Sequence, residues 1–293
     1  MSNRHAYLIM AHNQPELLEQ LLHALDYTGN DIYLHLDAKM DISGLRIPPM
    51  RSGTLFVLED RMDVKWGDFT QIACELLLLE RAAGEKHAYY HLLSGVDLPL
   101  KPQREIHRFF AENSGTEFIQ FYGPEIDKET RNRVAKYHFL VKRRTEKSVF
   151  HKLACKALLG IQIAVDRTRG TGVVFQKGAN WFSISEDLAQ YVLSRKTFIL
   201  KHFRYTLCGD EMFLQTLVYN SKFRERVVCG NFCDNYQNIL YEIDWKRGNP
   251  YEYTLNEYND LMDSGMLFAR KFNWYKDSEV IRKIVDTVAA EEW

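Results

Sequence analysis

Two neighbouring acids and one neighbouring pair of cations are the residues of this sequence best suited to chemistry. Asp210 and Glu211 stand together in Gly209-Asp210-Glu211-Met212-Phe213. A carboxylate held within hydrogen-bond reach of a hydroxyl can take its proton as the oxygen attacks. The plain alternative is that Asp210 caps the helical pattern running through Phe213, Leu214 and Leu217, with Glu211 favouring its first turn. Arg270 and Lys271 are adjacent between Phe268 and Phe272. A planar guanidinium fork beside an ammonium point charge suits phosphate oxygens, although such a pair can equally complement a helix dipole. Glu125-Ile126-Asp127 and Glu242-Ile243-Asp244 are Glu-x-Asp pairs able in principle to hold a hard cation. The sequence has no Asp-x-Asp.

These side chains need a scaffold, and the first half of the chain supplies an alternating one. Residues 6–11 form a short apolar run that reads as a buried strand. Asn13 then offers an N-cap with Glu16 three residues on and Pro15 in the first turn, followed by the stripe Leu17, Leu18, Leu21, Leu22, Leu25. Strand patterns recur at 32–36, 54–58, 89–93 and 117–121, with helices expected over 68–83 and 104–112. Strands alternating with helices predict a mostly parallel sheet flanked by helices. Ligands of such sheets sit beyond the carboxyl ends of the strands. His12, Asp37 in Leu34-His35-Leu36-Asp37, and Asp97 follow strands and are the first polar residues to consider. Asp37 also reads as an ordinary strand-end turn carboxylate, and Asp97, in a turn with Pro99, as a structural residue. Beyond residue 122 the alternation fades, so 1–121 is expected to form one half of a compact unit and 122–293 the other, closing over one cleft.

Composition narrows the function classes. The chain of 293 residues carries 38 Lys+Arg against 39 Asp+Glu, a net charge of -1, which disfavours a protein built on bulk attraction to nucleic acid. Hydrophobic residues at 46% exclude disorder as a whole-chain description. No G-x-G-x-x-G follows the first strand and no G-x-x-x-x-G-K-[ST] occurs, which removes most of the case for a dinucleotide oxidoreductase or P-loop NTPase. Five irregularly spaced cysteines read as reduced thiols, mostly core fillers. The opening residues look like a strand, not a signal peptide, and no uncharged window approaches the ~20 residues of a membrane span, so a cytoplasmic location is expected. The run 149–165 is apolar but contains His151, Lys152 and Lys156. It reads as an amphipathic helix on the core, or as part of an interfacial element spanning 143–165 that rests on lipid, aided by Arg143 and Arg144.

Four blocks carry a resemblance. They are Val64-Lys65-Trp66-Gly67, then Leu92-Leu93-Ser94-Gly95-Val96-Asp97-Leu98-Pro99-Leu100, then Lys177-Gly178-Ala179-Asn180-Trp181-Phe182-Ser183-Ile184-Ser185 with the Asp210-Glu211 block, and finally Leu267-Phe268-Ala269-Arg270-Lys271-Phe272. In this order they resemble the Core-2/I-branching enzyme family of glycosyltransferases, which includes β-1,6-N-acetylglucosaminyltransferases and peptide O-xylosyltransferases. The resemblance implies an α/β, A-type glycosyltransferase fold with a Rossmann-like sheet and a less regular acceptor-side half. It implies inverting transfer from a UDP-sugar to a glycan hydroxyl without a metal or other cofactor. Glu211 occupies the family's base position, and Arg270 and Lys271 match its diphosphate-binding pair, where fixed cations would stabilise the leaving charge. Asp37, Trp66 and Trp181 match donor-site positions, although a Trp is more often core. Lys136, Tyr241 and Trp245 are acceptor candidates. UDP-N-acetylglucosamine is the first expected donor and UDP-xylose the second, because Asn180 replaces the Asp that some xylosyltransferase-like members carry. A lipid-linked glycan is one expected acceptor. A non-catalytic glycan-binding module, or a glycoside hydrolase with Asp210 or Asp97 as second acid, are the readings that compete.

Overall fold

The computed structural model describes residues 3–139, 149–232 and 235–290. In chain order these form β1 (His5–Ala11), α1 (Pro15–Ala24), β2 (Asn30–Leu36), β3 (Thr54–Val57), α2 (Thr70–Ala82), β4 (Tyr89–Ser94), β5 (Leu98–Pro99), α3 (Gln103–Glu112) and β6 (Phe118–Ile119). The chain continues through α4 (Lys128–Ala135), α5 (Val149–Gly160), β7 (Phe182–Ser185), α6 (Glu186–Ser194), α7 (Lys196–Phe203), α8 (Phe213–Tyr219), β8 (Tyr241–Ile243), α9 (Tyr258–Asp263), β9 (Phe268–Arg270) and α10 (Ser278–Ala290).

A six-stranded sheet has the order β3-β2-β1-β4-β7-β6, and a three-stranded sheet the order β5-β9-β8. β3, β2, β1 and β4 run parallel, and β7 enters antiparallel to both β4 and β6. Strands buried on both faces need apolar side chains in both directions, which is why β1 and β2 read as continuous apolar runs. Alternation along β1 splits the core. Ala6 and Leu8 pack with residues of α2, α6, α7 and α8, whereas Tyr7 and Ile9 pack with residues of α1, α3 and α10. The expected α/β architecture, a parallel-rich sheet flanked by helices, is what the chain forms.

Local details differ from the expectation. Pro15 takes the first helical position of α1, so the cap is Gln14, in the left-handed region at φ 53, and not Asn13. The Gln14 side-chain oxygen accepts instead from the Trp274 amide at 2.7 Å. α8 begins only at Phe213, after a 3-10 turn at Gly209–Glu211, and neither element takes a side-chain cap bond, so Asp210 is no cap. Cys229, half-exposed in a turn, is disulfide-bonded. The expectation of five reduced core thiols therefore fails there, while Cys74, Cys155 and Cys208 are free.

Candidate active site

The carboxyl ends of the parallel strands open into a cavity of about 620 Å³. His12 follows β1 and Asp37 follows β2, and both line it, as do Leu92, Leu93 and Ser94 of β4. The strand register fixes this neighbourhood, since the Asp37 amide donates to Ala11 O at 2.8 Å and that of Gly95 to Met10 O at 3.0 Å. Both Asp37 oxygens are engaged: Oδ1 accepts from the Lys39 amide at 2.8 Å, and Oδ2 from the Val64 amide at 3.1 Å and Lys39 Nζ at 3.0 Å. That carboxylate thus ties the loop carrying Trp66 to the end of β2. Trp66 itself is 59% exposed on the cavity wall.

Glu211 and its turn are held by three segments far apart in sequence. Arg133 Nη1 donates to its Oε2 at 2.9 Å, and Lys177 Nζ lies 3.5 Å from the same oxygen. Oε1 has no hydrogen bond among the described residues. The Gly178 amide donates to the Glu211 carbonyl at 2.9 Å. Only glycine allows this approach, because a Cβ at 178 would lie 1.9 Å from the Gln120 carbonyl oxygen. On the other flank, the Cys208 amide donates to the carbonyl of Gly67, itself at φ 72. Gln71 Nε2 donates to Asp210 Oδ2 at 2.9 Å.

Beneath Glu211 lies a buried acid pair. Asp210 is 6% exposed and Glu75, one turn after Gln71 on α2, is 2% exposed. Among the described residues neither Glu75 oxygen has a hydrogen-bond partner, nor has Asp210 Oδ1. Burial pushes the Asp210 pKa up to about 7, with the Glu211 charge adding to it. Burial, and then the Asp210 charge, drive Glu75 well above the carboxylate range. A raised folded-state pKa means that the unfolded chain ionises first as pH rises. Stability contributed at Asp210 therefore falls between the ordinary Asp value near 4 and about 7, then levels off. Asp210→Asn removes that fall. Its melting temperature should exceed wild type at pH 8 and converge with it near pH 4, the gain reaching roughly 2–4 kcal/mol. A difference independent of pH would contradict this account.

The basic pair is anchored by its neighbours. Phe268 and Phe272 are fully buried, Ala269 pairs with Leu98 of β5, and the Phe272 amide donates to Val96 O at 3.1 Å. Arg270 and Lys271 consequently line the cavity. The Arg270 guanidinium stacks over Trp181 at 4.2 Å, and its Nη1 lies 3.4 Å from Asp97 Oδ1. Its buried Nε has no hydrogen-bond partner among the described residues. Lys271 Nζ lies 3.4 Å from Glu252. Asp97 is fully buried, and its Oδ2 accepts from the Ser94 amide at 2.8 Å and the Tyr241 hydroxyl at 3.3 Å. It therefore lies buried beneath Arg270 as the partner of its guanidinium. His12, at an exposed rim position, still has its pKa depressed by the crowding cavity walls, with Arg270, Lys39 and Lys271 adding to the effect against Asp37.

The structure thus brings Asp37, Trp66, Trp181, Glu211, Arg270, Lys271 and Trp245 to one cavity and leaves two acceptor candidates outside it. Tyr241 is 2% exposed, with its hydroxyl spent on Leu92 O and Asp97. Lys136 does not line the cavity and donates to the carbonyls of Gln162 and Val165 at 2.7 and 2.5 Å. The Lys136 ammonium is already committed to backbone carbonyls, and the Tyr241 hydroxyl to a backbone carbonyl and a carboxylate. Trp245 instead joins Tyr236, 6.1 Å away, and Tyr236 meets the hydroxyl of Tyr122 at 2.9 Å, forming an aromatic wall. Sequence reasoning missed Arg133, Lys177, Gln71 and Lys39. Lys177 begins the block that runs to Ser185, but nothing local ties Arg133 to a carboxylate 78 positions away. Of the Glu-x-Asp pairs, Asp127 caps α4 and Asp244 binds Arg247, and none of the four acids lines the cavity. No group of three or more His, Cys, Asp or Glu able to hold a metal ion occurs among the described residues.

A profile for the family described as Core-2/I-Branching enzyme matches residues 5–262. Among curated proteins, the chain is similar to Xylosyltransferase 2 of Homo sapiens, 23% identical across 95% of this chain and 33% of that one. It is also similar to Xylosyltransferase 2 of Rattus norvegicus, at 22% over 95% of this chain and 33% of that one. Xylosyltransferase oxt of Drosophila melanogaster is 22% identical over 94% of this chain and 32% of its own. The chain spans about a third of the length of these relatives.

Proposed function

The chain belongs to the Core-2/I-branching enzyme family, and from that premise we propose that it is an inverting glycosyltransferase acting on a UDP-sugar without a metal. One observation supports the reading: Glu211 and the Arg270–Lys271 pair line the same cavity. In the proposed step, the acceptor hydroxyl gives its proton to Glu211 while its oxygen bonds to the anomeric carbon. The bond from that carbon to the diphosphate breaks with both electrons going to UDP. Arg270 and Lys271 hold the charge that develops there. Arg133 and Lys177 keep Glu211 oriented, and Asp37 and Trp66 help seat the nucleotide. Trp181 and the wall of Tyr122, Tyr236 and Trp245 offer flat rings for sugar faces.

The names of the relatives favour UDP-xylose as the first donor to test, ahead of UDP-N-acetylglucosamine, reversing the order expected from the sequence. Thermal shifts with UDP, UDP-xylose and UDP-N-acetylglucosamine, each with and without EDTA, test donor and metal together. Saturation at about 100 times Kd should stabilise the protein by ~2.7 kcal/mol, a rise of a few degrees that EDTA leaves intact. Stabilisation that requires magnesium or manganese would overturn the metal-free reading. UDP release that depends on a glycan acceptor separates transfer from hydrolysis and from mere glycan binding. Hydrolysis would also need a second working acid, and the Asp97 carboxylate is sealed beneath Arg270.

A further inference from the structure

The turn that closes α5 has its polarity reversed. Ile161 is 80% and Ile163 87% exposed, whereas Gln162 between them is 7% exposed. The polar residue is drawn inward by specific bonds. Gln162 Oε1 accepts from the Tyr137 amide at 2.8 Å, and Nε2 donates to Tyr137 O at 3.1 Å and Leu158 O at 2.9 Å. Lys136 Nζ fastens the same turn from below through the carbonyls of Gln162, Ile163 and Val165. The two isoleucines are thus held outward on a fixed turn, with Leu153 and Leu159 of α5 exposed at 57% and 37%. A surface that buries amide and presents aliphatic tips is built for an apolar exterior. Among the described residues no helix is long and apolar enough to cross a membrane.

Size and charge identify the exterior. Four aliphatic side chains fall well short of the ~800 Å² per partner that a stable protein interface buries, but suffice to enter the headgroup boundary of a bilayer. The surrounding charges are mainly positive. Lys156, Arg169 and Lys201 are exposed, Arg131 pairs with Asp166 at 3.1 Å, and Arg133 lies 4.0 Å from Glu129 on α4. We propose that this turn docks the protein on an anionic lipid surface, with Ile161 and Ile163 inserted and these cations facing the headgroups. The proposal stands apart from the transferase reading and does not depend on it.

The test is sedimentation of the full chain with vesicles of phosphatidylcholine alone or mixed equally with phosphatidylglycerol. Wild type should partition onto the anionic vesicles, less so at high salt, and the double variant Ile161→Ser/Ile163→Ser should lose about tenfold or more of that partitioning at an unchanged melting temperature. In Ile163→Trp, the added emission should shift to the blue on vesicle binding and be quenched by brominated lipid. Wild type that stays in the supernatant, or a serine variant that binds equally, overturns the proposal. So does lipid-independent self-association that the serine variant abolishes, because the occupant would then be a second copy.

Discussion

Glu211→Gln is expected to lower sugar transfer by about 10³-fold while leaving UDP affinity within about twofold. Glutamine keeps the size of the side chain and an oxygen for Arg133 Nη1, which donates to Glu211 at 2.9 Å. It cannot accept a proton at neutral pH. The change therefore removes the base and little else from the geometry. Lys177 and Arg133, each at least four-fifths buried, lose their charge partner, so a modest fall in melting temperature is expected as well. Transfer rates at saturating donor, set beside calorimetric UDP titration, separate the two roles. Equal losses in both would show that Glu211 helps to bind nucleotide and is not the base. Retained transfer would remove it from the chemistry altogether.

The second large effect is expected at the basic pair, where the two cations differ in what else they hold. Lys271 is about one-third exposed and lies 3.4 Å from Glu252, itself partly exposed. Lys271→Ala should weaken UDP binding about tenfold, leave uridine binding unchanged because no diphosphate is present, and alter folding little. Arg270→Ala should weaken UDP at least as much and also destabilise the protein. Its guanidinium covers the fully buried Asp97 and stacks on Trp181. Removing it strands a buried carboxylate, a loss of about 3–5 kcal/mol by analogy with broken buried pairs. Arg270→Lys keeps the charge without the planar stack and should fall between. Unchanged UDP affinity in Lys271→Ala and Arg270→Lys would take the pair out of the diphosphate site.

Much of the scaffold was legible because its cause is local. Continuous apolar runs such as that of β1 mark strands buried on both faces, and the leucine stripe of α1 marks a helix on one of them. The cap of α1 was misplaced by one residue because Asn13 fits a capping box as well as any, while Pro15 decides where the first turn starts. Asp210 fits a cap in the same way, yet Gln71 and burial claim its carboxylate. Tyr241 and Lys136 had the right chemistry for an acceptor wall, but a residue type does not reveal whether its polar atom is already satisfied. The reversed polarity at Ile161 and Ile163 was equally hidden, since an apolar run reads the same whether its side chains point in or out.

The sequence alone determined the parallel-rich α/β scaffold and the strand ends at which polar residues gather, because adjacency and period are written in the order of residues, while the pairing of the acidic block with the basic block was implied by the family resemblance. Tertiary structure alone decided which side chains meet. Arg133 reaches Glu211, Gln71 reaches Asp210, and Asp97 lies under Arg270, each across scores of intervening positions. The physical reason is that ion pairs and buried hydrogen bonds depend on separation in space. That separation is set by how β4, β9 and the 3-10 turn at Gly209–Glu211 pack together, and no local pattern encodes it.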